Sequence, residues 1–347
     1  MQPNFIRAGV LAIVISFVAM LSWEIHLRHK GMILSFDDNE ALWAAKRAMA
    51  YLPADKATVF IGSSRIKFDL DIPMWREITG TEAIQLANVG SSPRAVLTDL
   101  ANDKNFKGNL IVDVTEGTFF GEGAPYDKAT NKKIAYYKGL TPTQRFSFQV
   151  NHALESQFVF LDQDHYSING MLDNLQLFPP RPGVFPGIYF PIGFTLASYD
   201  RQSFMTPEFA ADTSQQNAVK GVWAYGFKRR GDKKLPPDKL DAIFNSVKAD
   251  VDKIKARGGQ VLFVRTPSSG FYWEQELKGY PRDKYWDRLL TFTDCKGIYF
   301  KDYPATASFI CPEWSHLSPT DVPTYTKAFI AELHDLGWPI NNKPVPQ

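Results

Sequence analysis

The chain has 347 residues, 44% of them hydrophobic and 22% charged, with a formal net charge of +2. That length and balance suit one large globular domain or two smaller ones and exclude a disordered chain. A charge so near zero also argues against a nucleic-acid partner, because binding a phosphate backbone calls for a basic excess.

Residues Ala8 to Trp23 are almost wholly apolar, with Arg7 before them and Arg28 and Lys30 after. Such a run is a signal peptide or a short membrane anchor. Phe5 and Ile6 lengthen it towards the ~20 residues a spanning helix needs, and Trp23 suits the interface. Neither Ala19-Met20-Leu21 nor Ser22-Trp23-Glu24 makes a convincing small-x-small cleavage site. An uncleaved anchor over residues 1–30 is therefore expected, with residues 31–347 on one side of the membrane. Arg7 and the amino terminus balance Arg28 and Lys30, so basic flanks do not decide which side.

Next, Asp37-Asp38-Asn39-Glu40 supplies caps for a helix through Ala41 to Tyr51, which Pro53 closes. The β-branched and aromatic run Thr58 to Ile61 reads as a buried strand ending in Gly62-Ser63-Ser64-Arg65. A short helix over Pro73 to Ile78 leads to a strand at Ala83 to Leu86 and the turn Asn88-Val89-Gly90-Ser91-Ser92-Pro93. Ser92 and Pro93 suit the start of a helix through Val96, Leu97 and Leu100. A strand at Asn109 to Val114 follows, ending in Thr115-Glu116-Gly117-Thr118. Strands alternating with helices at this spacing predict an α/β fold with a central parallel sheet.

From Phe119 to about Lys234 the period fades. One amphipathic helix is expected over Thr143 to Phe160, and the proline- and glycine-rich stretch 178–183 reads as loop. Residues 119–234 are therefore expected as an insertion at the sheet's rim, forming a lid or substrate wall. Its aromatics either pack internally, the commoner outcome, or present a surface to carbohydrate or lipid. His152 and His165 read as surface or hydrogen-bonded packing residues rather than catalysts. Order returns at Asp238, where Leu240, Ile243, Phe244, Val247, Val251 and Ile254 make one helical stripe ended by Gly258-Gly259. A strand over Gln260 to Val264 then runs into Arg265-Thr266-Pro267-Ser268-Ser269-Gly270. A short strand at Gly297 to Phe300, the loop Glu313-Trp314-Ser315-His316 and a helix from about Pro319 to Leu336 complete the chain.

Open α/β sheets bind ligands beyond the carboxyl ends of their strands, which makes Ser64 a candidate nucleophile. A serine needs an imidazole to take its proton and a carboxylate to orient that imidazole. His316 and Glu313, three residues apart, supply both types. The backbone amides of Ser64, Gly90 and Ser91 are candidate donors to an oxyanion. The two cysteines, Cys295 and Cys311, form a disulfide contributing about 3 kcal/mol or remain two free thiols. No residue set suggests a metal or a cofactor.

A strand ending in Gly62-Ser63-Ser64, then Asn88-Val89-Gly90, then Glu313-x-x-His316 before a terminal helix resembles the SGNH (GDSL-like) hydrolases and acyltransferases. The resemblance covers residues 55–118 and 238–336. With the single anchor, the chain resembles the exported proteins that work beside membrane-bound O-acyltransferases in teichoic-acid D-alanylation and in alginate or peptidoglycan O-acetylation. The resemblance implies a flavodoxin-like three-layer fold with Ser64 as nucleophile, His316 as base and Glu313 in the place of the usual aspartate. Asn88 would contribute to the oxyanion or substrate site. Two departures leave the oxyanion short of donors: Phe119 stands where the third block has asparagine, and Pro93 where the second has glycine. Losing such a donor costs about 100- to 1000-fold in rate. Arg265, Ser268 and Ser269 are candidate substitutes, with loop packing the commoner role for each.

The activity this implies is a serine O-acyltransferase or esterase without a cofactor, modifying a cell-surface or exported glycan, with acetyl the expected group. It would sit in the cell inner membrane by one span with its domain periplasmic, beside a multi-span O-acyltransferase. A catalytically inactive assembly or glycan-binding subunit, and a cytosolic hydrolase held to the inner face, remain the alternatives.

Overall fold

A computed structural model describes residues 4–166, 170–172, 190–231 and 235–340. The stretch 178–183, expected as loop, lies outside the described residues. By internal packing the chain forms two compact units: Met1–Asp37 with Thr141–Pro186, and Asp38–Leu140 with Gly187–Gln347.

The second unit is built on five parallel strands. In chain order these are β1 (Ala57–Ile61), β2 (Glu82–Gln85), β3 (Asn109–Asp113), β6 (Gln260–Arg265) and β7 (Lys296–Tyr299); a two-stranded antiparallel ribbon, β4 (Leu196–Ala197) and β5 (Ser203–Phe204), lies between them in sequence. The sheet order is β2-β1-β3-β6-β7, with every neighbouring pair parallel. Leaving the ribbon aside, this is 2-1-3-4-5, an order that changes direction between β1 and β3 and opens a crevice beyond their carboxyl ends.

The strands alternate between two buried clusters, as a sheet covered on both faces must. Val59, Ile61, Leu110, Val112, Val261 and Phe263 face one cluster, closed by Trp43, Leu97, Phe244 and Leu289 from four helices. Phe60, Ile111, Leu262 and Val264 face the other, closed by Ile66, Trp75, Tyr325 and Phe329. Cys295 packs against the first cluster and Cys311 lies in the second, so the sheet separates them and both are free thiols. The disulfide that the sequence allowed is not made, because bridging needs Cα atoms within about 7 Å and side chains that face each other.

The expected elements form within a residue or two of their sequence limits. Asn39 caps the Glu40–Met49 helix through bonds of 2.9 and 3.1 Å to Ala41 N and Leu42 N. The region 119–234 is more helical than its composition suggests. Ala124–Lys138 and Thr213–Arg230 are helices of the second unit whose apolar side chains gather weakly on any one face, and the second carries Gly221 and Gly226, so neither declares itself by period. The helix expected to reach Phe160 spans Pro142–Glu155 and is followed by a tight turn at Val159–Leu161.

The first unit contains the Phe5–His29 helix, 25 residues long with mean hydropathy 2.2 and apolar enough to cross a membrane. His165, expected as a packing residue, bonds Asp162 Oδ2 at 2.7 Å through Nδ1. Asp37 accepts a 3.1 Å bond from Gln163 N. Burial, with Asp164 and Asp162 nearby, pushes its carboxyl up to about 7. Because the folded state raises this pKa, folding favours the protonated acid. That contribution is complete below about pH 4 and is lost as pH rises through about 7. Asp37→Asn is expected to raise the melting temperature over wild type at about pH 8 and to shrink that advantage at about pH 5; equal shifts at both pH values would contradict it.

Gly62, after β1, is required by close approach. A Cβ there would lie 2.6 Å from Asp113 Cβ on β3 and 2.6 Å from Ile66 Cγ2. Gly62→Ala is expected to destabilise the protein by about 1–3 kcal/mol through overpacking, read as a lower denaturation midpoint of the full chain in detergent.

Candidate active site

Ser63 leaves β1 in extended backbone, and Ser64 begins the six-residue helix Ser64–Asp69. Ser64 is half-buried. Three contacts seat this helix against the loop 313–317. The Phe68 ring lies 4.3 Å from the His316 ring centroid, Arg65 Nε donates to Ser315 Oγ at 3.3 Å, and Asp69 Oδ1 accepts from Leu317 N at 3.0 Å. Ser64 stands one turn before Phe68, and residues at i and i+4 share a helix face. The proposed nucleophile is therefore on the side that meets the imidazole.

Glu313 has no exposed surface and His316 only 1%. Glu313 Oε1 accepts from His316 Nδ1 at 3.0 Å, from His316 N at 2.5 Å and from Ser315 N at 3.2 Å; Oε2 accepts from Trp223 Nε1 at 2.5 Å. A proton held on Nδ1 by a carboxylate leaves Nε2 as the basic nitrogen of the neutral ring. His316 Nε2 is buried and has no hydrogen-bond partner among the described residues. No hydrogen bond joins it to Ser64, whose hydroxyl has no partner among the described residues either.

The loop holding this pair is strained and clamped. Trp314 has φ 78°, the left-handed region that non-glycine residues rarely occupy. Its carbonyl accepts from Ser269 N at 2.9 Å and its ring packs on Phe271 at 5.5 Å, while Gly270, with φ +53°, leaves no room for a Cβ beside the indole. The loop after β6 thus holds the loop carrying the histidine.

The candidate oxyanion donors divide. The backbone amides of Ser64 and Gly90 make no hydrogen bond, and Gly90, with φ +64°, is exposed with open space around it. The amide of Ser91 is committed to Asn88 O at 3.2 Å. Asn88 is committed too: Nδ2 donates to Thr130 Oγ1 at 3.2 Å and Oδ1 accepts from Arg201 Nη2 at 3.1 Å. Phe119 is buried in the core against Phe263.

Arg265 and Ser268, weighed as substitute donors, belong instead to a buried ion network. Arg265 donates to Glu116 Oε1 at 3.1 Å and to Glu276 Oε2, which also accepts from Ser268 Oγ at 2.8 Å; Arg65 Nη2 donates to Glu276 Oε1 at 2.7 Å. Burial alone would raise the Glu276 carboxyl, but Arg265 and Arg65 outweigh it and hold the group below its ordinary value. Burial pushes the Asp69 carboxyl well above its ordinary value, against the pull of the Leu317 amide and the Arg65 guanidinium.

Sequence reasoning missed Arg65, Phe68, Asp69, Trp223 and Glu276. Arg65, Phe68 and Asp69 follow Ser64 directly in sequence, but nothing there marks which side chains turn towards a loop nearly 250 residues away. Trp223 had only the aromatic density of its region as a signal. Beside the site is a cavity of ≈ 690 Å³, with Phe120, Tyr126, Phe227, Arg230 and Tyr280 among its lining residues; Ser64, Glu313 and His316 do not line it. Phe227 lies one turn beyond Trp223 on the same helix. No family model matches the chain, and no curated protein matches it in sequence.

Removing the shared carboxylate of the ion network leaves two buried guanidiniums short of a partner. Glu276→Gln is expected to cost about 3–5 kcal/mol of stability, measured by denaturant unfolding. A loss within ±0.5 kcal/mol, the range of ordinary surface changes, would contradict this role.

Proposed function

We propose that the chain is a membrane-anchored SGNH-type serine O-acyltransferase or esterase whose α/β unit faces the periplasm and acylates, or deacylates, a cell-surface or exported glycan. The observation that carries this reading is the buried Glu313–His316 pair, whose basic Nε2 has no partner and lies beside the helix begun by Ser64. Neither a packing histidine nor a surface one needs a buried carboxylate on one nitrogen and a bare lone pair on the other, since an unsatisfied buried polar atom costs about 1–3 kcal/mol. The anchor reading draws on the length and apolarity of the Phe5–His29 helix.

The reaction requires Ser64 Oγ to come within hydrogen-bond reach of Nε2. Oγ attacks the acyl carbonyl of the donor as Nε2 takes its proton, and Glu313 stabilises the resulting imidazolium. Collapse of the tetrahedral intermediate breaks the bond to the donor's alcohol, which leaves with that proton. A glycan hydroxyl or water then gives its proton to Nε2 and attacks the Ser64 ester, releasing the acylated product and restoring the serine. The amides of Ser64 and Gly90 are the remaining oxyanion donors. With Asn88 and Ser91 committed elsewhere, the site suits an activated acyl donor. The aromatic walls of the neighbouring cavity suit the faces of sugar rings and favour a glycan as acceptor, and a multi-span membrane acyltransferase is the donor-side partner.

A second reading, an inactive glycan-binding or assembly subunit, draws on one observation: no hydrogen bond links Ser64 to His316. Labelling with a serine-directed fluorophosphonate separates the two. Wild type is expected to label, Ser64→Ala not to label, and His316→Gln and Glu313→Gln to label roughly 10²- to 10⁴-fold more slowly. Wild-type protein that never labels would favour the inactive subunit, and Ser64→Ala labelling at the wild-type rate would sink the assignment.

A further inference from the structure

We infer that the Pro142–Glu155 helix is a second membrane contact, lying in the bilayer interface on the same side as the residues that follow the N-terminal span.

The helix is a well-formed one. Thr141 and Gln144 make a reciprocal capping box at its start, and Pro142 occupies its first turn, where a missing N–H costs nothing. What is unusual is its polarity. None of its residues is buried. The less exposed positions Gln144, Phe148, His152 and Glu155 form one face, where the His152 ring packs on Phe36 at 5.7 Å. The opposite face carries Phe146, Val150 and Leu154, exposed by 68%, 43% and 46%. Phe158 extends the row by another four residues, since its amide donates to Leu154 O at 3.1 Å and continues the helical path. On a helix resting on a globular core the apolar stripe faces inward. Here the apolar row faces out, and the side that meets the protein carries Gln144, His152 and Glu155 beside Phe148.

Continuity with the N-terminal helix identifies the occupant of that face. Both elements belong to the same compact unit. The segment just after the helix is bonded to the last turns of Phe5–His29: Glu24 Oε1 and Oε2 accept from Val159 N and Phe160 N at 3.1 Å each, and Arg28 Nη2 donates to Gln157 O at 2.7 Å. Leu27 packs with Val159 and Tyr166, and Trp23, Met32, Leu34 and Phe160 close around them. The apolar window of the N-terminal helix is wholly exposed. If that window crosses a bilayer, Trp23 to Arg28 emerge at its surface, and the turn bonded to them holds the apolar row at headgroup depth. A helix with an apolar face opposite a polar one binds there by burying its apolar side about 5–10 Å into the headgroup–acyl boundary. Arg145, Gln149 and Asn151 flank the row and would stay in contact with headgroups and water.

The proposal rests on the N-terminal helix spanning a bilayer, and the experiment reads the two separately. The full chain, in a Cys295→Ser background that leaves only the buried Cys311, is reconstituted into phosphatidylcholine–phosphatidylglycerol nanodiscs. An environment-sensitive fluorophore is placed on Val14→Cys, Arg145→Cys, Val150→Cys or Leu154→Cys in turn. Labels at 150 and 154 are expected to be blue-shifted and quenched by shallow doxyl lipids severalfold more than the label at 145, and the label at 14 to be quenched by deep ones. A quenched label at 14 with labels at 150 and 154 no more quenched than that at 145 overturns the interfacial helix alone. A label at 14 that no doxyl lipid quenches overturns the spanning helix and this proposal together. Shielding at 150 and 154 that appears only when integral membrane proteins are added, and not in lipid alone, assigns the face to a protein partner and overturns the bilayer as its occupant.

Discussion

The site depends on one carboxylate. Glu313 is out of reach of solvent and is saturated by two backbone amides of its own loop, the imidazole it orients and an indole from another helix. A buried charge is tolerated only when hydrogen bonds replace its water, so the four donors are a condition of the loop's fold as much as a feature of the site. Their convergence explains why the chain accepts a left-handed Trp314 between Glu313 and Ser315: the turn that aims both amides back at the carboxylate requires it. It also explains the role of Trp223, which joins to the loop the Thr213–Arg230 helix, whose Phe227 and Arg230 line the aromatic cavity.

Around this centre the sheet provides position and the ion network rigidity. The change of strand direction between β1 and β3 opens the crevice, and the contact of Gly62 with Asp113 draws the end of β1 onto β3. The network of Arg65, Arg265, Glu116, Glu276 and Ser268 then links the residue after Ser64 to the ends of β3 and β6. Glu276, shared by both guanidiniums, is the centre of that network, and none of its members is exposed. Arg65 reaches from this network to Ser315, so the same side chain that anchors the serine's helix also touches the loop holding the histidine.

Much of this was legible in the sequence, and the reasons differ by element. The five core strands declared themselves because strands buried on both faces are near-continuous β-branched and aromatic runs, with turn residues at their ends. Glu313 and His316 could be paired because three residues span a single tight turn, and Gly62-Ser63-Ser64 because strand ends in such sheets carry ligand sites. The Ala124–Lys138 and Thr213–Arg230 helices were hidden because their apolar side chains do not gather into one periodic stripe. Arg265 and Ser268 read as a polar loop, yet the structure buries them, because complementary charges on Glu116 and Glu276 come from distant segments that a local reading does not join. Only fifteen residues lie between the cysteines in sequence, but they pack on opposite faces of the sheet, a separation that spacing does not reveal.

The central claim is that Ser64, activated through His316 and Glu313, accepts an acyl group. It is tested most directly by mass spectrometry of the full chain after brief reaction with 4-nitrophenyl acetate and an acid quench. The account predicts one added acetyl group, mapped to the peptide bearing Ser64 and accumulating faster than on any lysine. Acetylation confined to lysines, or no adduct on the Ser64 peptide, would contradict it.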